Sequence, residues 1–164
     1  LERYILNNNQ IDALPETLGQ CTSLTEFQAA SNKLTAVPET LGGCAKLKVL
    51  SLGANAIAEI PGAVFARMTE LEELYLFNNK LSSLPSEIGA ATGLRTLSLS
   101  GNSLKSLPDE VGEFAQLKEC YLMNNPLSSL PEAVSGWGSV TDFVSKGCKL
   151  KSLPAGVSVG GKSI

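Results

Sequence analysis

The sequence predicts an α/β-type solenoid, a curved horseshoe with short parallel strands on its concave side and turns or 3-10 segments on its convex side. Three periodic features of the 164-residue chain predict it. An apolar pattern restarts every 23 or 24 residues, at Leu1, Leu24, Leu47, Leu71, Leu94, Leu117 and Val140. The ninth position of the unit holds Asn9, Asn32, Asn55, Asn79, Asn102, Asn125 and Cys148. The fifteenth position is always proline, at Pro15, Pro38, Pro61, Pro85, Pro108, Pro131 and Pro154.

Each unit carries one short predicted strand at about its fourth to sixth positions, where apolar and other residues alternate with a period of two. In the third unit, Leu50 and Leu52 are predicted to face the core while Ser51 faces outward. One such strand cannot bury its own apolar face, so neighbouring units are expected to stack around a shared core. The recurrent proline disrupts regular helix and central strand pairing. The convex side is therefore predicted to contain little α-helix.

The asparagine column is predicted to be structural. A buried side-chain amide must satisfy its donors and its acceptor. Asparagines stacked in successive units can do so by binding loop backbone within and between units. Cys148 is a familiar substitute at this position. A catalytic or ligand-binding role for the column is not expected.

These columns, with endings such as the Leu-Pro-Glu-Thr-Leu-Gly of segment 14–19, resemble the leucine-rich repeats of about 23 residues in Ras-group-related and scaffold-type intracellular proteins. The resemblance implies a protein–protein interaction module and leaves the partner open. The pattern predicts one domain over 1–157 and a tail or linker over 158–164. Its seven units are predicted to span 1–23, 24–46, 47–70, 71–93, 94–116, 117–139 and 140–157.

Composition argues against several kinds of chemistry. The chain has no histidine, which removes the commonest general base, and its four cysteines lack metal-ligand spacing. We therefore expect no enzyme activity, no cofactor and no metal. A net charge of -3 with few aromatics argues against nucleic-acid binding, and no apolar run approaches the roughly 18 residues that cross a bilayer. The expected partner is a protein or peptide.

Cysteine usage and processing signals favour a cytoplasmic location. Cys21 and Cys44 share a repeat column whose other members are Met68, Ala91, Phe114 and Trp137. This apolar column predicts buried free thiols, with a Cys21–Cys44 disulfide as the alternative in an oxidising compartment. The sequence shows no signal-peptide pattern and no acceptor for N-glycosylation.

One segment matches the phosphate-binding pattern G-x-x-x-x-G-K-S, at 156–163. A working phosphate loop needs a strand before it and a helix after it, because the helix start holds the phosphates. Here the segment follows Pro154 of the repeat, and Val157 fills the eighteenth position of the unit. Nucleotide binding is therefore not expected.

The third, fifth, seventh and eighth positions of each unit are predicted to face outward on the concave side, free to serve a partner. The fourth unit presents Tyr75 and Phe77 there, and the sixth presents Tyr121 and Met123. The two pairs should stand about 10 Å apart across Ser98, forming a slot for an apolar or basic side chain. The third position is acidic in several units and should favour a basic group on the partner. These acidic residues are Glu26, Glu73 and Glu119.

Two other functions remain open from the sequence. One is a structural subunit fixed in a large multiprotein assembly, and the other is a substrate-recognition arm of a larger enzyme such as a kinase, GTPase or ubiquitin ligase. The first unit starts at Leu1 without a cap, which predicts a longer protein. Ser145 replaces a core leucine in the seventh unit, which is predicted to end the array.

Overall fold

The computed structural model describes residues 1–154, and within that range seven strands form one parallel sheet in sequential order. The strands are β1 Arg3–Ile5, β2 Glu26–Gln28, β3 Val49–Ser51, β4 Glu73–Tyr75, β5 Thr96–Ser98, β6 Glu119–Tyr121 and β7 Asp142–Val144. Neighbouring strands pair at the same repeat position, so Arg3 lies beside Glu26 and Val49 beside Glu73. They begin at the third position, one residue earlier than the alternation predicts. The predicted parallel solenoid is confirmed.

The return segments opposite the sheet are 3-10 helices in five units, at Glu16–Gln20, Glu39–Gly43, Ser86–Ala90, Asp109–Glu113 and Glu132–Gly136. In the first unit, the Cys21 N–H donates to the carbonyl of Leu18, three residues back. The third unit instead forms one α-helical turn, α1 at Gly62–Phe65. The extra residue of this unit lets the Ala66 N–H reach the carbonyl of Gly62, four residues back, at 3.1 Å. The prediction of 3-10 segments with little α-helix is confirmed.

A continuous apolar core runs between the sheet and the return segments. Leu50 and Leu52 are fully buried, while Ser51 between them is half-buried. The alternation predicted from the sequence is therefore present over residues 50–52, at the end of β3. Because every unit contributes the same columns of side chains, the core has no internal boundary along the described chain.

All four cysteines lie within the described residues and are free thiols. Cys44 and Cys120 are fully buried, whereas Cys21 and Cys148 are half-buried. The Cys44 Sγ donates a hydrogen bond to the carbonyl of Leu18 at 3.3 Å, and burial raises the pKa of its thiol. The Cys21–Cys44 disulfide considered from the sequence is not formed in this structure.

The two ends of the described stack cover their apolar residues less completely. Leu1 and Ile5 are 69% and 49% exposed. In β7, Phe143 is half-buried and packs on Trp137, with ring centroids 6.4 Å apart. Three predictions lie outside the described residues: the domain boundary at 157, the tail over 158–164 and the phosphate-loop match over 156–163.

Candidate binding surface

Asparagine side chains tie each unit to the unit before it. The Nδ2 of Asn102 donates to the carbonyl of Leu99 in its own unit at 2.8 Å and to that of Leu76 in the preceding unit at 2.9 Å. Its Oδ1 accepts the backbone N–H of Leu81 at 3.0 Å. The same three bonds recur at Asn32, Asn55, Asn79 and Asn125.

The first and last members of this column differ from the rest. Asn9 binds the carbonyls of Leu6 and Asn7, both in its own unit. The Sγ of Cys148 donates to the carbonyl of Leu122 in the preceding unit at 3.1 Å, so the thiol keeps one of the amide's bonds. The side-chain amides of the inner asparagines are therefore engaged in hydrogen bonds with the backbone. These hydrogen bonds hold the concave strands in register.

The eighth position of every unit adopts a left-handed backbone conformation. The φ angles lie between 51° and 81°, at Asn8, Ser31, Ala54, Asn78, Gly101, Asn124 and Gly147. In this turn the backbone N–H of the eighth residue donates to a carbonyl that follows the strand of the next unit. Ala54, for example, donates to the carbonyl of Phe77 at 2.7 Å. A positive φ is energetically unfavourable for residues other than glycine. Its recurrence in every unit therefore indicates that the turn requires this backbone conformation. The side chains at this position still reach solvent at Asn8, Ser31, Asn78 and Asn124, and their availability to a partner stays a prediction.

A concave groove of about 470 Å³ opens over the second to fourth units. Its floor is formed by Val49 and Ser51 of β3. Large side chains rise only from the neighbouring strands, so the small floor residues leave a depression between two walls. We call this set the concave groove: Glu26, Gln28, Val49, Ser51, Glu73, Tyr75 and Phe77.

Phe77 reaches the groove by lying over the backbone of Gly53. A β-carbon at position 53 would overlap the ring, so only glycine leaves room for it. Gly53 is consequently buried although it faces the concave side. The ring therefore belongs to the groove over the third unit rather than to the slot over the fifth.

The other wall of the groove is held by a chain of polar side chains. The guanidinium of Arg3 donates from its Nε to Glu26, and Gln28 donates from its Nε2 to the other oxygen of the same carboxylate. Gln28 accepts in turn from Asn7 at 2.7 Å, and Asn7 accepts the N–H of Ala30 at 2.7 Å. The hydrogen bond from Arg3 lowers the pKa of Glu26 despite some opposing burial, so Glu26 is held ionised and paired.

Two tyrosines flank Ser98 on the neighbouring strands. Ser98 pairs with Tyr75 on one side and Tyr121 on the other, and only 8% of its surface is exposed. The Tyr75 hydroxyl donates to Glu73 at 2.9 Å, and burial together with that bond raises its pKa to about 12.

The Tyr121 hydroxyl lies between two carboxylates. It donates to Asp142 at 2.9 Å, with Glu119 3.4 Å away. The bond to Asp142, burial and the nearby negative charges raise the pKa of Tyr121 to about 12. Both hydroxyls therefore stay protonated and hydrogen-bonded at neutral pH.

The structure divides the eight residues predicted to bind a partner between two areas. Four line the concave groove: Glu26, Glu73, Tyr75 and Phe77. The other four lie over the fifth and sixth units: Ser98, Glu119, Tyr121 and Met123. Sequence reasoning missed Gln28, Val49 and Ser51 because it sought bulky anchors. The signal that could have found them is the occurrence of small or neutral residues at the third and fifth positions, where neighbouring units carry larger or charged side chains.

Across residues 1–154, no cluster of three or more histidine, cysteine, aspartate or glutamate side chains is arranged to hold a metal ion. Nor does this part of the chain contain a helix with the length and apolarity that crossing a membrane requires.

Solved structures with this architecture come from bacteria and plants. A leucine-rich repeat protein of Leptospira interrogans is 33% identical over 92% of this chain, with a TM-score of 0.86. The ectodomain of the Arabidopsis thaliana receptor kinase GASSHO1/SCHENGEN3, in complex with CASPARIAN STRIP INTEGRITY FACTOR 2, is 34% identical over 93%, with a TM-score of 0.83. The plant peptide hormone receptor RGFR1, in complex with RGF2, is 32% identical over 92%, with a TM-score of 0.78.

This chain spans only part of each of those proteins, 38%, 19% and 24% of their respective solved chains. No curated protein sequence matches it significantly. Two family models do match, described as "Leucine rich repeat" over residues 30–81 and "Leucine Rich repeats (2 copies)" over 69–109. With seven stacked units and their asparagine ladder, the chain belongs to the leucine-rich repeat family.

Proposed function

We propose that this chain is a non-catalytic interaction module that binds a protein or peptide on its concave face. The observation that carries the proposal is the concave groove, whose 470 Å³ lies between an aromatic wall and a polar wall. Ligand sites combine a concave shape, an apolar surface and a few placed polar groups. Tyr75 and Phe77 supply the apolar surface, while Glu73 and Gln28 supply polar groups.

Two similar structures support the same function. The GASSHO1/SCHENGEN3 ectodomain and RGFR1 were both solved in complex with a binding partner. Groove residues on a rigid sheet need little reordering on binding, which favours recognition of an extended peptide. We propose no catalytic role, because the hydrogen-bonded groups on this face are held in structural bonds.

A selection of random peptides displayed on phage tests this proposal, with retesting of each selected peptide on two variants. Ser51→Tyr fills the groove floor, and the repeat accepts tyrosine at the equivalent positions of Tyr75 and Tyr121. Ser82→Tyr places the same side chain at an exposed site outside the sheet. Selected peptides should lose at least about tenfold in affinity, roughly 1.4 kcal/mol, on the first variant only. Equal binding to Ser51→Tyr and wild type by every peptide would refute concave-face recognition.

A further inference from the structure

We infer that the concave groove seats an arginine side chain of the bound peptide, with Glu73 as its ion-pair partner and Tyr75 and Phe77 as its apolar wall. The inference rests on the proposed binding to the concave face, and it names the chemistry that this face recognises. Charge, shape and wall composition support it separately.

The charges in the groove are not equally available. Glu26 is engaged at both of its oxygens, by Arg3 and by Gln28. Glu73 accepts one neutral hydrogen bond, from the Tyr75 hydroxyl to its Oε2. Within residues 1–154, no cationic side chain pairs with Glu73. The groove therefore holds one carboxylate whose charge the described chain leaves uncompensated.

The floor fits the stem of a long side chain. Val49 lies between Glu26 and Glu73 on the paired strands, and Ser51 lies between Gln28 and Tyr75. Strands stand about 4.8 Å apart, so the walls are separated by about 10 Å. That width admits the methylene stem of an incoming side chain over Val49 while its head group meets Glu73.

The aromatic wall distinguishes arginine from other occupants. A guanidinium can stack on a ring while its N–H groups bind a carboxylate, which the compact ammonium of lysine does less well. An apolar side chain would cover Glu73 without supplying a counter-charge, at a desolvation cost. An acidic side chain would meet repulsion from Glu73 and from Glu119 on the same face.

N-acetyl-arginine amide is a suitable probe, and N-acetyl-citrulline amide is its neutral counterpart of nearly the same shape. Each is titrated into the full chain while backbone amide resonances are followed by NMR. We expect arginine to shift Val49, Ser51 and Gly53 and to saturate at about millimolar concentration, the range of weak single-group ligands. Citrulline should leave these resonances in place. Equal shifts with the two probes, or no arginine shift at these residues, would overturn the inference.

Two variants locate the counter-charge. Glu73→Gln keeps an oxygen for the Tyr75 hydroxyl but removes the charge, and it should weaken arginine binding about three- to fivefold, as expected for a partly exposed ion pair. Glu119→Gln makes the same change two strands away, outside the groove, and should have no effect. Equal weakening by both variants would also overturn the inference, since it would indicate a diffuse attraction.

The failure of this inference is distinguishable from failure of the proposed function. If displayed peptides depend on the groove while arginine leaves its resonances unshifted, concave binding stands and arginine recognition is refuted. If arginine binds but the displayed peptides ignore Ser51→Tyr, the groove takes a guanidinium and the proposal of peptide recognition there is refuted.

Discussion

Phe77 occupies the space above Gly53 that any larger residue would need. A β-carbon at Gly53 would stand 2.5 Å from both Cε1 and Cζ of the Phe77 ring. Gly53 is therefore the reason that an aromatic wall can lean into the concave groove from the neighbouring unit. The two residues lie at the same repeat position in adjacent units. The absence of a side chain at Gly53 therefore allows the Phe77 side chain of the next unit to point toward the third unit.

Gly53→Ala should displace the Phe77 ring and lower the free energy of unfolding by about 1 kcal/mol, in the range of modest overpacking. The clash requires Phe77, so the same substitution should cost much less in a Phe77→Ala background. Urea denaturation of the two single variants and the double variant measures this coupling. An equal loss in both backgrounds would assign the effect to the backbone of residue 53 and not to the ring.

Asn102→Ala should lower the free energy of unfolding by about 2–4 kcal/mol, because it leaves buried backbone groups of Leu76, Leu81 and Leu99 without partners. Asn9→Ala is the matched control, since the hydrogen bonds of exposed Asn9 to the described chain all lie within its own unit. We expect that control to cost less than about 1 kcal/mol. Similar losses in the two variants, measured by chemical denaturation, would contradict a cross-unit role for the ladder.

Ala54→Gly should raise the free energy of unfolding by about 0.5–1 kcal/mol, because Ala54 adopts a φ of 53° that glycine tolerates more easily. Ala58→Gly, at an exposed site in the same unit without positive φ, should instead destabilise by about 0.5 kcal/mol through backbone entropy. Gly101→Ala should destabilise, since its φ is 69° and a β-carbon would stand 2.2 Å from Oδ1 of Asn78. A change of the same sign in both alanine-to-glycine variants would contradict this account.

The tyrosine pKa values predict a loss of stability at alkaline pH. Folding raises the pKa of Tyr75 and of Tyr121 from 10.0 to about 12, so the folded state keeps both protons longer than the unfolded state. Their contribution is complete below pH 10 and is lost as the pH rises toward 12. Absorbance titration should show both groups ionising well above an exposed tyrosine.

Asp142→Asn provides a test of the causes. The bond to Asp142 is the largest reason for the raised pKa of Tyr121, whereas burial is the largest reason for that of Tyr75. Asp142→Asn should therefore lower the pKa of Tyr121 more than Glu73→Gln lowers that of Tyr75. Equal shifts in these two variants, each resolved by phenylalanine substitution of the other two tyrosines, would disprove the assignment.

Tyr75→Ala should weaken groove-dependent peptides by about 2 kcal/mol if Tyr75 is an interface hot spot. Tyr121 lies outside the concave groove, and Tyr121→Ala should cost less than about 0.5 kcal/mol. Isothermal titration with the peptides selected by display measures both. Equal losses would place the binding centre in the slot between the two tyrosines, as the sequence predicts.

Repetition explains why the fold could be predicted and why much of the surface could not. The leucine, asparagine and proline columns recur with the same spacing, so each unit independently specifies the same strand, ladder and turn. The burial of Ser98 and Gly53 could not be predicted from the repeat pattern. Both occupy outward positions predicted to be free for a partner, yet both are buried, Gly53 beneath the ring of Phe77.

The sequence by itself determined that the chain stacks as a parallel solenoid, because a short strand with one apolar face is stable only against copies of itself. It also determined which columns face the concave side. Only the tertiary structure decided that Phe77 leans over Gly53, that Arg3 and Gln28 satisfy Glu26, and that Glu73 has no cationic partner among residues 1–154. The Phe77–Gly53 and Arg3–Glu26 contacts join residues 24 and 23 positions apart. They depend on side-chain direction across neighbouring strands, which a repeating pattern does not encode.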